Sequence, residues 1–254
     1  MAMALVDTHT HLQHPKFDGD RAAVLERALS VLDWIVVVGD NVATSRQAIN
    51  LAGKRVYATV GIHPHNADAS SDESLAAIRE LASYPGVVAI GEIGLDYHYD
   101  LSARDRQREI FHRQLEIAVE FRMPVVIHCR EAESDLAAIV EPMHRELSGA
   151  VAHCFGGGPG FAEQCLAWGF HISFAGNVTF PKSVALREAA LVVPIERLLI
   201  ETDCPYLAPQ HVRGRRCAPA FIVHTASFLA NWRNVTIEEL SERTTENARR
   251  LFRL

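Results

Sequence analysis

The chain predicts a (β/α)8 barrel, and three observations carry that expectation. Eight apolar runs rich in β-branched residues recur from end to end, amphipathic stretches separate most of them, and the polar, chemistry-bearing residues stand at the ends of the runs. Near-continuous apolar strands mark a parallel sheet covered on both faces, and strands alternating with helices mark an α/β architecture. The runner-up is an open doubly wound sheet. Both folds gather chemistry at the C-terminal ends of strands, but only a closed barrel makes eight such ends converge on one pocket. With 254 residues, 48% of them hydrophobic, one domain spanning 1–254 is expected, with a core that needs no disulfide or structural metal.

The elements follow in order. ALVDTH (4–9) reads as the first strand and 21–30 as the helix after it. WIVVVG (34–39) and a helix over 43–54 come next, then VYATVGIH (56–63) and a helix over 72–83 with Asp72 as its N-cap. VVAIGEIG (87–94) leads to the longest helix, 104–121; PVVIHC (124–129) leads to a helix over 131–147. AVAHCF (150–155), FHISFAG (170–176) and LLIETD (198–203) complete the eight. Thr236, with Glu239 three residues on, has the spacing of a capping box for a last helix.

Composition narrows the function. A formal net charge of −6 supplies no global basic field, which argues against a passive nucleic-acid binding module. It leaves room for an enzyme whose site is made positive by bound cations. Five scattered Cys, no basic leader and no apolar run of membrane-spanning length point to free thiols and a cytoplasmic setting, and the chain is expected to be a monomer. Cys129, Cys154 and Cys204 each follow a candidate ligand, so strand alternation predicts that they face away from the site.

Those candidates are His9 and His11 at the end of the first run, then His63, Glu92, His128, His153 and Asp203. One imidazole at a strand end is ordinary. Seven such groups buried without partners would cost several kcal/mol each, a cost that a metal centre removes by bonding their nitrogens and oxygens. His-x-His on a strand puts two imidazoles on one face, about 7 Å apart along the backbone. Six ligands (His9, His11, Glu92, His128, His153 and Asp203) are too many for one catalytic ion that keeps an open position. Two ions about 3.5–4 Å apart use them all if Glu92 bridges. The expected division is His9, His11, Glu92 and Asp203 on one ion, and Glu92, His128 and His153 on the other. His63 is expected outside the ligand set, as a substrate or leaving-group contact. Mg2+, Mn2+ and Zn2+ all suit such donors.

The ordered stretches VDTHTHL (6–12), VGIHPH (60–65), GEIGLDYHYD (91–100), PVVIHCRE (124–131), AHCFGG (152–157), SFAGNVTFP (173–181), ETDCPYLAP (201–209) and TTENARRLF (244–252) resemble the TatD family of metal-dependent nucleases, within the amidohydrolase-like barrels. That resemblance implies a (β/α)8 barrel and divalent-metal-dependent hydrolysis of DNA, typically exonucleolytic and on single strands. It carries over the same six ligands. Two positions depart from the pattern: Gln13 stands where the family usually has Asp, and Cys217 where it usually has Asn.

On this reading the ions activate a water for phosphodiester hydrolysis; Asp203 either takes its proton or is a ligand only, and His63 either meets the phosphate or leaving oxygen or is a structural contact to the Pro64 loop. Arg130, which shares the parity of His128, either clamps a phosphate or pairs with Glu131 or Glu133. The basic run Arg213, Arg215 and Arg216 either grips a nucleic-acid backbone or is a solvated loop. Phe155 and Tyr206 stand near ligand strand ends, where aromatics stack bases or simply pack. The alternative enzyme is an ester or amide hydrolase on the same metal pair. Related barrels often bridge their metals with a carboxylated lysine, and no Lys stands in the fourth or fifth strand here. A non-catalytic binding barrel is the third reading, and six intact ligands speak against it.

Overall fold

The computed structural model describes residues 5–254, so Ala4 of the expected first strand lies outside the described residues. Eight strands form one parallel sheet in sequential order: β1 (Val6–Thr10), β2 (Trp34–Val38), β3 (Val56–Val60), β4 (Val87–Asp96), β5 (Val125–Arg130), β6 (Ala150–Ala152), β7 (His171–Phe174) and β8 (Leu198–Ile200). The sheet closes through a parallel bridge between Thr10 and Cys204, with Asp203 N donating to His9 O at 3.0 Å and His11 N to Cys204 O at 2.8 Å. The closure therefore lies beside two of the expected ligands.

The intervening helices are α1 (Arg21–Val31), α2 (Val42–Leu51), α3 (Asp72–Leu81), α4 (Arg104–Phe121), α5 (Glu133–Val140), α6 (Pro159–Ala167) and α7 (Val184–Val192); α8 (Ile222–Arg233) and α9 (Ile237–Phe252) end the chain. α4 has the expected bounds. α3 is capped by Ser71 rather than Asp72: the Ser71 hydroxyl accepts from Ser74 N, and Ser74 answers to the Ser71 backbone. Asp72 sits one place inside, in the first turn, where its charge favours the helix dipole. α5 is shorter than expected: it starts late, because Glu131 has φ 54° and cannot start a right-handed helix, and it gives way to turns after Val140. Thr236 caps α9 by accepting from Glu239 N at 3.1 Å.

Two apolar layers hold the barrel. The larger lies between strands and helices and includes Ile35, Val37, Ile78, Phe111, Ile127 and Phe174. The smaller joins Val6, Val36, Val126, Val151 and Leu199 from five strands to Ala248, Leu251 and Phe252 of α9. A cluster fed from strands all round the sheet is the inside of the barrel, and α9 closes it where the strands begin. α9 is tied there by Asn247, whose buried amide donates to Ile195 O at 2.6 Å and Leu198 O at 2.9 Å. Asn247→Ala leaves two carbonyls without that donor, and we expect a loss of about 2–4 kcal/mol in denaturant unfolding. A loss below about 0.5 kcal/mol, the range of neutral surface changes, would show that water satisfies them.

Candidate metal centre

Each candidate side chain reaches the C-terminal mouth from a different part of the sheet. His9 lies in β1 and His11 just past it; His63 follows β3; Glu92 lies within β4; His128 lies in β5; His153 and Asp203 follow β6 and β8. All but His9, which is fully buried, line a cavity of about 1120 Å³. The pairing register of β4 with β5 shifts between Ile90 and Ile93, so Glu92 sits in an irregular stretch of the strand. Gly94 permits the close approach of these two strands: a Cβ there would run into His128 O, and its φ is +139°.

Glu92 is the hub. Its Oε1 lies 2.7 Å from His153 Nε2, 2.9 Å from His128 Nδ1 and 3.2 Å from His63 Nε2. Its Oε2 lies 3.3 Å from His9 Nε2 and 3.7 Å from His11 Nε2. Asp203 Oδ1 stands on the second side, 3.4 Å from His11 Nε2 and 3.9 Å from His9 Nε2. The donors gather into sets with ligand atoms within 4.8 Å of one another: His9, His11 and Asp203; His9, Glu92 and His153; His63, Glu92 and His128; and His11, Asp40 and Glu92. All seven residues expected from the strand ends meet here. His63, expected outside the ligand set, stands as close to Glu92 as the candidate ligands do. The donor chemistry fits divalent cations: imidazole nitrogens and carboxylate oxygens converge, and His9 Nε2 and His11 Nε2 face each other at 3.2 Å.

Burial and the mutual charges of these side chains shift their proton affinities in opposite directions. Burial pulls Glu92 upward, but His153, His63 and His128 outweigh it and hold the carboxyl well below its ordinary range. Burial pulls His11 down, yet Asp40 and Asp203 raise it to about 10. Burial lowers His63 to about 4. Burial, with the charges of Glu92 and Asp203 adding to it, lifts Asp40 to about 6 against the pull of His11. A cation entering here displaces protons from the imidazoles it binds.

Three carboxylates beyond the expected set complete the centre. Asp96 Oδ2 accepts from His128 Nε2 and His65 Nε2, each at 3.0 Å, while its Oδ1 accepts from His98 N and Tyr99 N. Glu201 Oε1 accepts from His153 Nδ1 at 3.1 Å and Cys154 N at 2.7 Å. Asp40 Oδ1 stands 3.4 Å from His11 Nδ1. Each fixes the far nitrogen of an imidazole and so aims the near one at the centre. Glu201→Gln, with the barrel intact by circular dichroism, is expected to weaken metal binding about 10–100-fold in chelator competition. Unchanged affinity would mean that β6 alone orients His153.

The remaining expectations divide. Arg130 borders the cavity with its guanidinium 4.8 Å from the Tyr99 ring centre; Glu131 pairs instead with His98. Arg213 lies over Phe180 and Arg215 over Phe221, neither lining the cavity. Arg216 is a strut, bonded to Asp20 and Lys16 O. Phe155 is buried against Phe161, whereas Tyr206 is exposed at the mouth. Cys204 is buried away from the cavity, as expected, but Cys129 and Cys154 border it. Cys154 lies beyond the end of β6 with φ 41°, where strand alternation no longer applies. Gln13 donates to Val38 O at 2.6 Å, which an aspartate cannot do, and reaches His11 Nδ1 at 3.5 Å. Cys217 is fully buried, with Sγ 3.9 Å from Thr202 O.

A parallel eight-stranded barrel with imidazoles and carboxylates converging at its strand ends defines a metal-dependent hydrolase. The family model described as TatD related DNase matches residues 6–253. An uncharacterized metal-dependent hydrolase, YabD, of Bacillus subtilis is 41% identical over 98% of this chain and 99% of its own length. A protein of Pantoea vagans named 3'-5' ssDNA/RNA exonuclease TatD is 40% identical over 98% of this chain and all of its own. The crystal structure of YJJV, a TatD homolog of Escherichia coli K12, superposes with a TM-score of 0.93 at 28% identity, covering both chains completely. The chain belongs to the TatD-related DNase family. Among the described residues, no helix is long and apolar enough to cross a membrane.

Proposed function

We propose that the chain is an exonuclease that hydrolyses phosphodiester bonds of single-stranded DNA with two divalent cations. The observation that carries this reading is the two-sidedness of Glu92: one oxygen faces His63, His128 and His153, the other faces His9 and His11. That is the disposition of a carboxylate shared by two cations. His9, His11 and Asp203 would hold one, and His128 and His153 the other. When bound, the cations supply Lewis acidity to the phosphoryl group and make water more acidic. Asp203 accepts the proton of the attacking water, because its carboxyl is kept ionised by His11, His9 and His153 against the pull of burial. Asp96 and Glu201 hold His128 and His153 in place. His63, neutral at pH 7, donates to the phosphate or the leaving oxygen. The name of the Pantoea relative agrees with this substrate class.

The mouth suits a single strand. Tyr99 and Tyr206 are 56% and 44% exposed and border the cavity. Each carries a cation over its ring: Arg130 at 4.8 Å and Lys16 at 5.4 Å. An exposed aromatic face beside a cation offers stacking for a base and charge for its phosphate. Release of mononucleotides should be faster from single-stranded than from duplex oligonucleotide, and duplex preference would overturn the proposed substrate. Tyr206→Leu is expected to raise KM about tenfold on a normal strand and little on one with abasic residues at its end. Equal effects on the two strands would make Tyr206 a packing residue. Arg213, whose guanidinium is spent on Phe180, is given no part in this reading.

A further inference from the structure

A second cavity lies at the opposite pole of the barrel, where strands begin. Ala150 opens β6, His171 opens β7, Arg197 directly precedes β8, and Arg250 reaches in from α9. Its volume is about 330 Å³, the lower end of the range for small-molecule sites. Arg197, Arg250, His144 and His171 line it, and no Asp or Glu is among its described lining residues. The catalytic mouth is lined by Asp40, Glu92, Asp96 and Asp203. In a chain of net charge −6, the far pole is thus a local reversal of sign.

The polar groups are placed but not used up. The described hydrogen bonds of Arg197 engage one nitrogen, Nη1, on Gly169 O at 2.9 Å. Those of Arg250 engage one, Nη2, on Glu246 at 3.3 Å along the exposed face of α9. His171 is only 5% exposed, and neither ring nitrogen makes a well-formed hydrogen bond, although the Ala150 backbone stands near enough to act as a weak acceptor. Burial, then the charges of Arg197 and Arg250, hold its pKa at about 4 against the pull of the Ala150 backbone, so the ring is neutral with one N–H that a better acceptor can take. A buried ring with no well-formed hydrogen bond, beside two guanidiniums each engaged through one nitrogen, leaves donors free for an acceptor. Trp168 and Phe170 form an aromatic wall, their ring centres 5.6 Å apart. The Trp168 indole is fixed by Glu141, which engages that carboxylate as well.

We propose that this pole binds a small phosphate-bearing anion. The guanidinium nitrogens of Arg197 and Arg250 take its oxygens, His171 donates to it, and the Trp168–Phe170 wall accepts an organic portion. The space equals about ten water molecules, more than a bare oxyanion fills. Inorganic phosphate and a mononucleotide share the chemistry that the arginines read. The site rests on none of the assignments at the metal centre.

The test uses the full-length, metal-loaded protein labelled with 15N. The chain has 3 Trp, so each indole N–H can be assigned, that of Trp168 by Trp168→Phe. Inorganic phosphate and a 5′-mononucleotide are titrated separately. The expected result is a saturable shift of the Trp168 indole resonance with that of Trp232 unmoved. Tighter binding of the mononucleotide would assign the wall to a base, and equal binding would assign the site to phosphate alone. Arg250→Ala and Arg197→Ala should each weaken binding about tenfold, and His171→Phe should weaken it while keeping the ring's bulk. Arg250 is exposed, so its variant keeps the fold. No saturable shift at millimolar concentrations, or unchanged affinity in both arginine variants, would overturn the proposal.

Discussion

Replacing Glu92 by alanine is expected to lower turnover roughly 10³-fold or more and to release metal from both sides of the centre together. Among the described residues, no other carboxylate pairs with both groups of imidazoles: Oε1 meets His63, His128 and His153, and Oε2 meets His9 and His11. Its removal leaves each group one acceptor short and leaves the buried imidazoles of His9 and His153, stacked with ring centres 3.9 Å apart, without the negative charge between them. The barrel itself should survive, because the neighbours Ile90 and Ile93 remain packed in the apolar layer. Far-UV circular dichroism should therefore stay unchanged while metal content, read by mass spectrometry, falls. Loss of only one equivalent would assign Glu92 to one ion and place the bridge elsewhere, with Asp40 beside His11 the next carboxylate in reach.

Asp203→Asn is expected to keep most of the metal and still lose about 10²–10⁴ in kcat. The amide keeps an oxygen near His11 and His9 but cannot accept a proton. In the parent, burial pulls the Asp203 carboxyl upward, and the hydrogen bond to His11 and the charges of His9 and His153 outweigh it, so the carboxylate form is available at neutral pH. Single-turnover rates with metal content measured in parallel separate the two roles. Complete loss of metal would make Asp203 chiefly a ligand and would leave the proton to another group.

The convergence of these side chains was readable because each candidate ligand stands at or near the end of an apolar run, where a polar side chain without a partner is costly to bury. Asp96, Glu201 and Asp40 escaped for a physical reason. They touch imidazoles from behind, and in sequence an aspartate before a turn or a glutamate at a strand end looks like any solvated acid. Parity offered one signal, since Glu92, Gly94 and Asp96 alternate along β4. The strand-end rule offered another, since Asp40 lies just past β2. α6 was hidden behind a glycine-rich entry at 156–158, and α7 behind a short, mostly apolar stretch in which only Arg187 and Glu188 are charged. Arg216 shows the converse: a basic run looked uniform, yet one of its members is fixed to Asp20 on the other side of the closure.

The most direct test of the central claim is mononucleotide release from end-labelled single-stranded DNA by protein stripped of metal and then titrated with Mg2+, Mn2+ or Zn2+, with Glu92→Ala as the blank. Hydrolysis by a carboxylate-bridged pair of cations predicts no release without metal, activity that is complete only at two equivalents per chain, and none in the blank. Full activity at one equivalent, or release by Glu92→Ala near the parent rate, would contradict it; two bound equivalents with no release from DNA would turn the same centre toward ester or amide substrates.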